Sequence, residues 1–156
     1  MIEIVVPGYK TIEIEHLVLD YNGTLARDGD PLDGVRERLE SLAGELTVHV
    51  ITADTFGTTR DRLEGLPCEL VVLSPDGQDA AKADYVRRLG SGRTAAVGNG
   101  RNDRLMLQEA ELGIVVVQEE GASVDAITAA DVACPDIRAA LDLLARPLRL
   151  AATLRN

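Results

Sequence analysis

The sequence predicts an α/β fold: a three-layer, Rossmann-like parallel sheet with helices on both faces, entered through an amino-terminal β-hairpin. Three observations carry this expectation. From residue 16 onward, short β-branched runs alternate with stretches of helical periodicity. The strand-like runs are apolar almost throughout instead of alternating, the pattern of strands buried on both faces of a parallel sheet. Three of these runs end in polar residues, at the carboxyl ends of strands, where an open parallel sheet places its ligands.

The first fourteen residues read differently from the rest. Ile2-Glu3-Ile4-Val5-Val6 and Thr11-Ile12-Glu13-Ile14 flank Pro7-Gly8-Tyr9-Lys10, two partly alternating arms around a turn-rich break. Strands are then expected at 16–20, 46–51, 69–73, 93–97 and 113–117, with a short one near 131–134. Helices are expected around 32–44, 55–65, 78–89, 101–110, 121–129 and 136–145. Within 78–89, Ala81, Tyr85 and Leu89 recur at four-residue spacing and Gly90 supplies the stop. Asp136 stands before Ile137, Ala140, Leu141 and Leu144, a side chain suited to cap an amphipathic helix.

With 156 residues, 46% of them hydrophobic, the chain is long enough for a single domain (1–156, with 1–14 as its hairpin extension) around one proper core. Aromatic residues are only 3%, so that core must be built from Leu, Val, Ile and Ala. A net charge of −10 argues against nucleic-acid partners and anionic membranes, both of which require clustered Lys and Arg. Cys68 and Cys134 share no metal-type spacing and are expected to be buried free thiols. Met1-Ile2-Glu3 opens no signal peptide and no apolar stretch reaches membrane-spanning length, so the expected location is the cytoplasm.

The chemistry gathers at the three strand ends. His16-Leu17-Val18-Leu19-Asp20 runs into Tyr21-Asn22-Gly23-Thr24-Leu25; Leu46-Thr47-Val48-His49-Val50-Ile51 runs into Thr52-Ala53-Asp54; Thr94-Ala95-Ala96-Val97 runs into Gly98-Asn99-Gly100-Arg101-Asn102-Asp103. Each carries groups suited to a phosphate and a divalent cation. Asp28 and Asp54 carry weaker signals, as acids in an acidic chain. His16 and His49 read as satisfied histidines within strands, because no base–nucleophile spacing accompanies them.

Taken in order with Lys82, these segments resemble the four-motif series of the haloacid dehalogenase superfamily of phosphohydrolases, over nearly all of the chain after residue 16. The pattern is most similar to the phosphorylation domains of P-type ATPases, whose nucleophile motif reads Asp-Lys-Thr-Gly-Thr and whose last motif reads Gly-Asp-Gly followed by Asn-Asp. The resemblance implies a soluble relative in which Asp20 accepts a phosphoryl group. Backbone amides of Tyr21 to Gly23, the Thr52 hydroxyl with the adjoining Ala53 amide, and Asn102 would bind phosphoryl oxygens. Lys82 would offset developing charge. The Asp20 carboxylate, the Asn22 carbonyl, Asn99 and Asp103 would hold Mg2+.

Two departures from the family's pattern matter. Asn22 stands where its phosphatases place an acid–base Asp, and an amide exchanges no proton at neutral pH, so turnover should be slow. Asn99 stands where relatives place an acid, which should weaken the metal site. The intervals between motifs are too short for a cap domain or for a pump's nucleotide-binding insertion, which excludes ion transport. The expected substrate is a phosphorylated small molecule or a phosphoprotein, with Arg101 and Arg104 suggesting a second anionic group. An uncapped site points to a homo-oligomer, with the hairpin edge as the contact. The alternative function is a phosphate- and Mg2+-binding regulatory or scaffold module without useful turnover.

Overall fold

A computed structural model of the chain describes residues 1–54 and 57–156. In chain order the strands and helices are β1 (Ile2–Val5), β2 (Thr11–Ile14), β3 (His16–Asp20), β4 (Ala26–Arg27), β5 (Asp30–Pro31), α1 (Val35–Leu42), β6 (Thr47–Thr52) and α2 (Thr59–Arg62). They continue with β7 (Glu69–Val72), α3 (Gln78–Leu89), β8 (Thr94–Gly98), α4 (Arg104–Glu109), β9 (Leu112–Val116), α5 (Val124–Ala129), β10 (Val132–Cys134), α6 (Ile137–Ala145) and α7 (Pro147–Leu154).

Six strands form one parallel sheet in the order β10-β9-β8-β3-β6-β7. The chain runs outward from β3 through β6 to β7, then crosses to the other flank of β3 and runs outward again through β8, β9 and β10. The winding reverses between β3 and β8, and a crevice opens there at the carboxyl ends of the strands. Register fixes what faces it: Asp20 pairs with Ile51 and Leu19 with Val97. Asp20, Thr52 and Asn99 therefore emerge at the same end of the sheet.

The central strands β3, β6, β8 and β9 are buried on both faces, as their unbroken apolar runs require, while the edge strand β7 is part-exposed. On one face Leu17, Leu19, Val48, Val50, Val97 and Ile114 pack against α1, α6 and α7 and against the inward side of the hairpin, Ile2, Ile4, Ile12 and Ile14. On the other, Val18, Ile51, Ala96 and Val115 meet Val86 of α3, Met106 and Leu107 of α4 and Ala126 of α5. Gly113 lets α4 lie close against β9: a methyl there would collide with the Leu107 carbonyl. The β1–β2 pair is a separate antiparallel sheet with its turn at residues 7–10.

The expected strands fall within one residue of those observed. The helices differ more. Expected 32–44 shortens to Val35–Leu42, entered at Gly34, and 121–129 begins only at Val124. Residues 101–103 form a 3-10 turn before α4. Of 55–65 only Thr59–Arg62 is helical among the described residues, with Thr55 and Phe56 outside them. In α3 the fully buried stripe is Lys82, Ala83 and Val86; Ala81, Tyr85 and Leu89 are half-buried beside it. Asp136 caps α6 as its position implies, accepting a bond of 2.9 Å from the Ala139 amide. Two elements were not anticipated. Helix α7 starts on Pro147, a residue that ends helices but is also well suited to open one. The β4–β5 hairpin turns on Asp28-Gly29, both with positive φ.

Candidate active site

Asp20 closes β3 with its side chain almost wholly buried. Its Oδ1 accepts a bond of 2.7 Å from the Lys82 ammonium, brought in from α3, and Lys82 donates a second bond of 2.7 Å to Asp103 Oδ1. Asp103 is completely buried and its other oxygen accepts from the amides of Asn99 (3.0 Å) and Gly100 (2.9 Å). The sequence folds locally in this way because the 3-10 turn doubles the chain back, returning residue 103 to the amides that follow β8. Both Asp103 oxygens are thereby engaged.

One ammonium between two carboxylates leaves a net charge of −1 in a buried place. Burial, and then the Asp103 carboxylate, push Asp20 up to about 7 against the pull of Lys82. Burial works against the Lys82 charge, yet the Asp20 and Asp103 carboxylates outweigh it and raise its pKa. A buried ion that loses its partner typically costs about 3–5 kcal/mol, so the three groups depend on one another.

Asp20 faces outward into a cavity of about 630 Å3, whose walls include Tyr21, Asn22, Thr52, Ala53, Asn99 and Asn102. These are the residues the sequence singles out, with Lys82 and Asp103 packed behind Asp20. Gly23 lies on the wall of an adjoining cavity of about 560 Å3. With φ of 80°, Gly23 holds the left-handed conformation that the turn after β3 needs. Its amide donates to the Ala26 carbonyl at 2.9 Å, so the turn itself uses that donor. Thr52 Oγ1 accepts from the Asp54 amide at 3.1 Å, which leaves the hydroxyl proton to donate elsewhere. Asp54 in turn accepts from the amides of Thr58 and Thr59 and so shapes the loop edge of the cavity.

Several site residues escaped the sequence reading. Thr24 donates to Asp20 Oδ2 at 3.1 Å and lies 3.5 Å from Asn99 Oδ1. Gln118 donates to the carbonyls of Gly23 (3.0 Å) and Thr24 (2.9 Å) and accepts from the Ile137 amide. Gln78 accepts from Asn102 at 3.0 Å, and Glu120 lines both cavities. Thr24 follows Asp20 by four residues and was there to be weighed; Gln118 and Gln78 carry no sequence signal, since only the fold brings them near. Arg101 and Arg104 do not line the cavity: they are paired with Asp125 (2.8 Å) and Asp79 (2.9 Å). Among the described residues the cavity wall therefore carries no guanidinium for a second anionic group.

His49 is buried, bonded to His16 at 3.2 Å and to the Tyr85 hydroxyl at 2.9 Å, which makes the pair a satisfied structural one. Cys134 is buried and Cys68 half-buried, both as free thiols.

The donors facing the cavity suit a hard divalent cation. Asn99 donates its amide to the Gly121 carbonyl at 3.1 Å, which turns its Oδ1 toward Thr24 and Asp20. That oxygen and the Asp20 carboxylate belong to the wall of one cavity, oxygen groups of the kind a hard cation takes. Among the described residues no three His, Cys, Asp or Glu side chains gather as a metal cluster, so a cation here would lean heavily on neutral oxygens. No helix of the described residues is long and apolar enough to cross a membrane.

No family model matches the chain. Two uncharacterized proteins of Methanocaldococcus jannaschii are similar to it in sequence. One is 49% identical over 61 residues, covering 39% of this chain and 66% of that protein, and the other is 44% identical over 39 residues, covering 25% and 89%. The chain thus spans just under two thirds of the first. Among solved structures, the cobalt-bound deoxy-D-mannose-octulosonate 8-phosphate phosphatase of Haemophilus influenzae superposes with a TM-score of 0.72 at 16% identity, covering 90% of this chain and 92% of that one. The 3-deoxy-D-manno-octulosonate 8-phosphate phosphatase of Moraxella catarrhalis, in complex with magnesium and phosphate ions and the sugar acid, gives 0.67 at 17% identity, covering 86% and 87%. A hydrolase of the HAD superfamily from Legionella pneumophila gives 0.67 at 21% identity, covering 90% and 87%. The reversal at β3, the carboxylate that ends that strand and these superpositions together establish that the chain has the haloacid dehalogenase fold in its capless form.

Proposed function

We propose that this chain is a Mg2+-dependent phosphohydrolase that works through an aspartyl-phosphate on Asp20 and turns over slowly. The observation that carries this reading is the seating of Asp20, a buried carboxylate that faces a polar cavity on one side and is bonded to Lys82 on the other. In the first step an Asp20 oxygen attacks phosphorus in line; a P–O bond forms to the carboxylate as the bond to the leaving oxygen breaks. Asn102, the Thr52 hydroxyl and the amides at Tyr21, Asn22 and Ala53 surround the place where the phosphoryl oxygens come to rest. Lys82 offsets their charge. Asn22 has no proton to give, so the departing oxygen draws one from water, and water then cleaves the acyl phosphate unaided. Both steps lose the roughly 10²–10⁴-fold that general acid–base catalysis supplies.

Asp20, the Asn22 carbonyl and Asn99 Oδ1 would hold Mg2+, and Asp103 would reach it only by giving up one of its present bonds. When bound, the cation supplies charge neutralisation to the phosphoryl oxygens. The names of the structural neighbours support a phosphorylated small molecule as substrate. A homo-oligomer joined through the hairpin edge remains part of this proposal, because a second copy would enclose a site that no cap covers.

The test is hydrolysis of an activated aryl phosphate with and without Mg2+. Activity should need the cation and vanish in Asp20→Asn; undiminished activity in that variant would falsify the reading. One observation favours the alternative binding module: Asn22 and Asn99 both put neutral amides on the cavity wall, where the family resemblance implies acids. Tight uptake of beryllium fluoride with Mg2+, without turnover of any ester in a phosphate panel, would decide for that module.

A further inference from the structure

Among the described residues, Glu120 makes no ion pair or hydrogen bond, although its neighbour Glu119 is paired with Arg27. Its carboxylate nevertheless lines the cavity that holds Asp20, Asn22 and Asn99. A methyl built on Gly23 would run into Glu120 Oε2 and would also lie 2.6 Å from Nδ2 and 2.9 Å from Oδ1 of Asn99. The Glu120 carboxylate and the Asn99 amide therefore converge on one spot, next to the peptide that carries the Asn22 carbonyl.

The loop that presents Glu120 is fastened to the site on both sides. Before it, Gln118 bonds to the carbonyls of Gly23 and Thr24 in the turn after Asp20. After it, the Gly121 carbonyl accepts from the Asn99 side chain, and the Ser123 amide donates to the Asn99 carbonyl at 2.9 Å. The Gln118–Gly121 bridge, with Gly121 at φ 71°, folds the four residues into a tight turn with Glu120 near its tip. Such fastening reduces the conformational freedom that a ligand would otherwise have to remove.

Charge gives this placement its meaning. Asn99 offers an oxygen without charge, and Asp103 is spent on Lys82 and two amides. Asp20 is itself half neutralised by Lys82. A hard dication binds poorly to so little negative charge. We infer that Glu120 is the second acidic ligand of a divalent cation at the Asp20 end of the sheet, replacing the acid that residue 99 lacks. The inference rests on the metal-dependent reading above, but it concerns binding and is measured without turnover.

The probe is Mn2+ alone, titrated into the metal-free protein and followed by the electron paramagnetic resonance of the free ion. Mg2+ competition serves as the check. Glu120→Gln should weaken Mn2+ binding by about tenfold or more, whereas Glu119→Gln should change it by less than about twofold. Asn99→Asp added to Glu120→Gln should recover most of the loss. The thermal midpoint of metal-free Glu120→Gln should match the wild type, since the side chain is exposed and unpaired among the described residues. Three results would overturn the inference: no Mn2+ binding by the wild type at millimolar concentration, unchanged affinity in Glu120→Gln, or equal losses in both Glu variants. If hydrolysis survives Asp20→Asn while Glu120→Gln still loses the ion, the enzymatic reading falls and the ligand assignment stands. If hydrolysis needs Asp20 but affinity ignores Glu120, the reverse holds.

Discussion

On the proposed reading, a single atom type at residue 22 sets the rate of the chemistry. Asn22 reaches the cavity from the turn after Asp20, where an acid would protonate the leaving group and later deprotonate water. Asn22→Asp changes one nitrogen to oxygen with little change in volume, and we expect it to raise kcat on an alkyl phosphate by about tenfold or more. A gain confined to poor leaving groups would identify the leaving step; steady-state rates on aryl and alkyl esters make the comparison. That Asp20, Lys82 and Asn99 share one site was legible because each lies at a strand end or at a spacing the sequence displays. Thr24 and Gln118 were not, because a hydroxyl or an amide side chain gains meaning only from what the fold places opposite it.

At the level of elements, the pairing of α1 with α6 has a measurable charge component. Arg38 makes two bonds to Asp142, of 2.9 and 3.1 Å, across the two helices. The Arg38 guanidinium holds the Asp142 carboxyl below its ordinary range. A carboxyl depressed in the folded state stabilises the fold at neutral pH, and that contribution fades as pH falls through its lowered value. Asp142→Asn should therefore lower Tm slightly near pH 7, by about 1–3 °C, and the gap should narrow only once pH drops below the ordinary carboxylate value and on through the lowered one; calorimetry at neutral pH and across the acid range tests this. The central strands were readable to within a residue because burial on both faces leaves little choice of residue type. Helix ends were less so: Gly34 and Pro147 act through backbone conformation that neighbours select, and the same Pro can stop a helix or start one.

Across the whole molecule, the reversal of strand order at β3 positions the crevice; the alternation of runs implied a parallel sheet covered on both faces, but not the order of its strands, which only tertiary packing decides. The two faces of the sheet were not equally legible. The face against α1, α6 and α7 also receives the hairpin, whose inward isoleucines alternate visibly in sequence. The face against α3, α4 and α5 hides Lys82 in a stripe that apolar periodicity alone assigns to its neighbours.

The tight seat of Leu107 on Gly113 makes the rear of the sheet a lever on the front. Helix α4 begins where the turn bearing Asp103 ends, so whatever lifts the helix also loosens the grip on Lys82 and, through it, on Asp20. Gly113→Ala adds one carbon that touches no part of the cavity, yet it should cost about 1–3 kcal/mol in overpacking. It should also depress kcat more than KM, a pattern that rate measurements beside a melting curve would separate from simple unfolding. Remote strain of this kind would make residue 113, seven positions from any wall of the pocket, a control point for phosphoryl transfer.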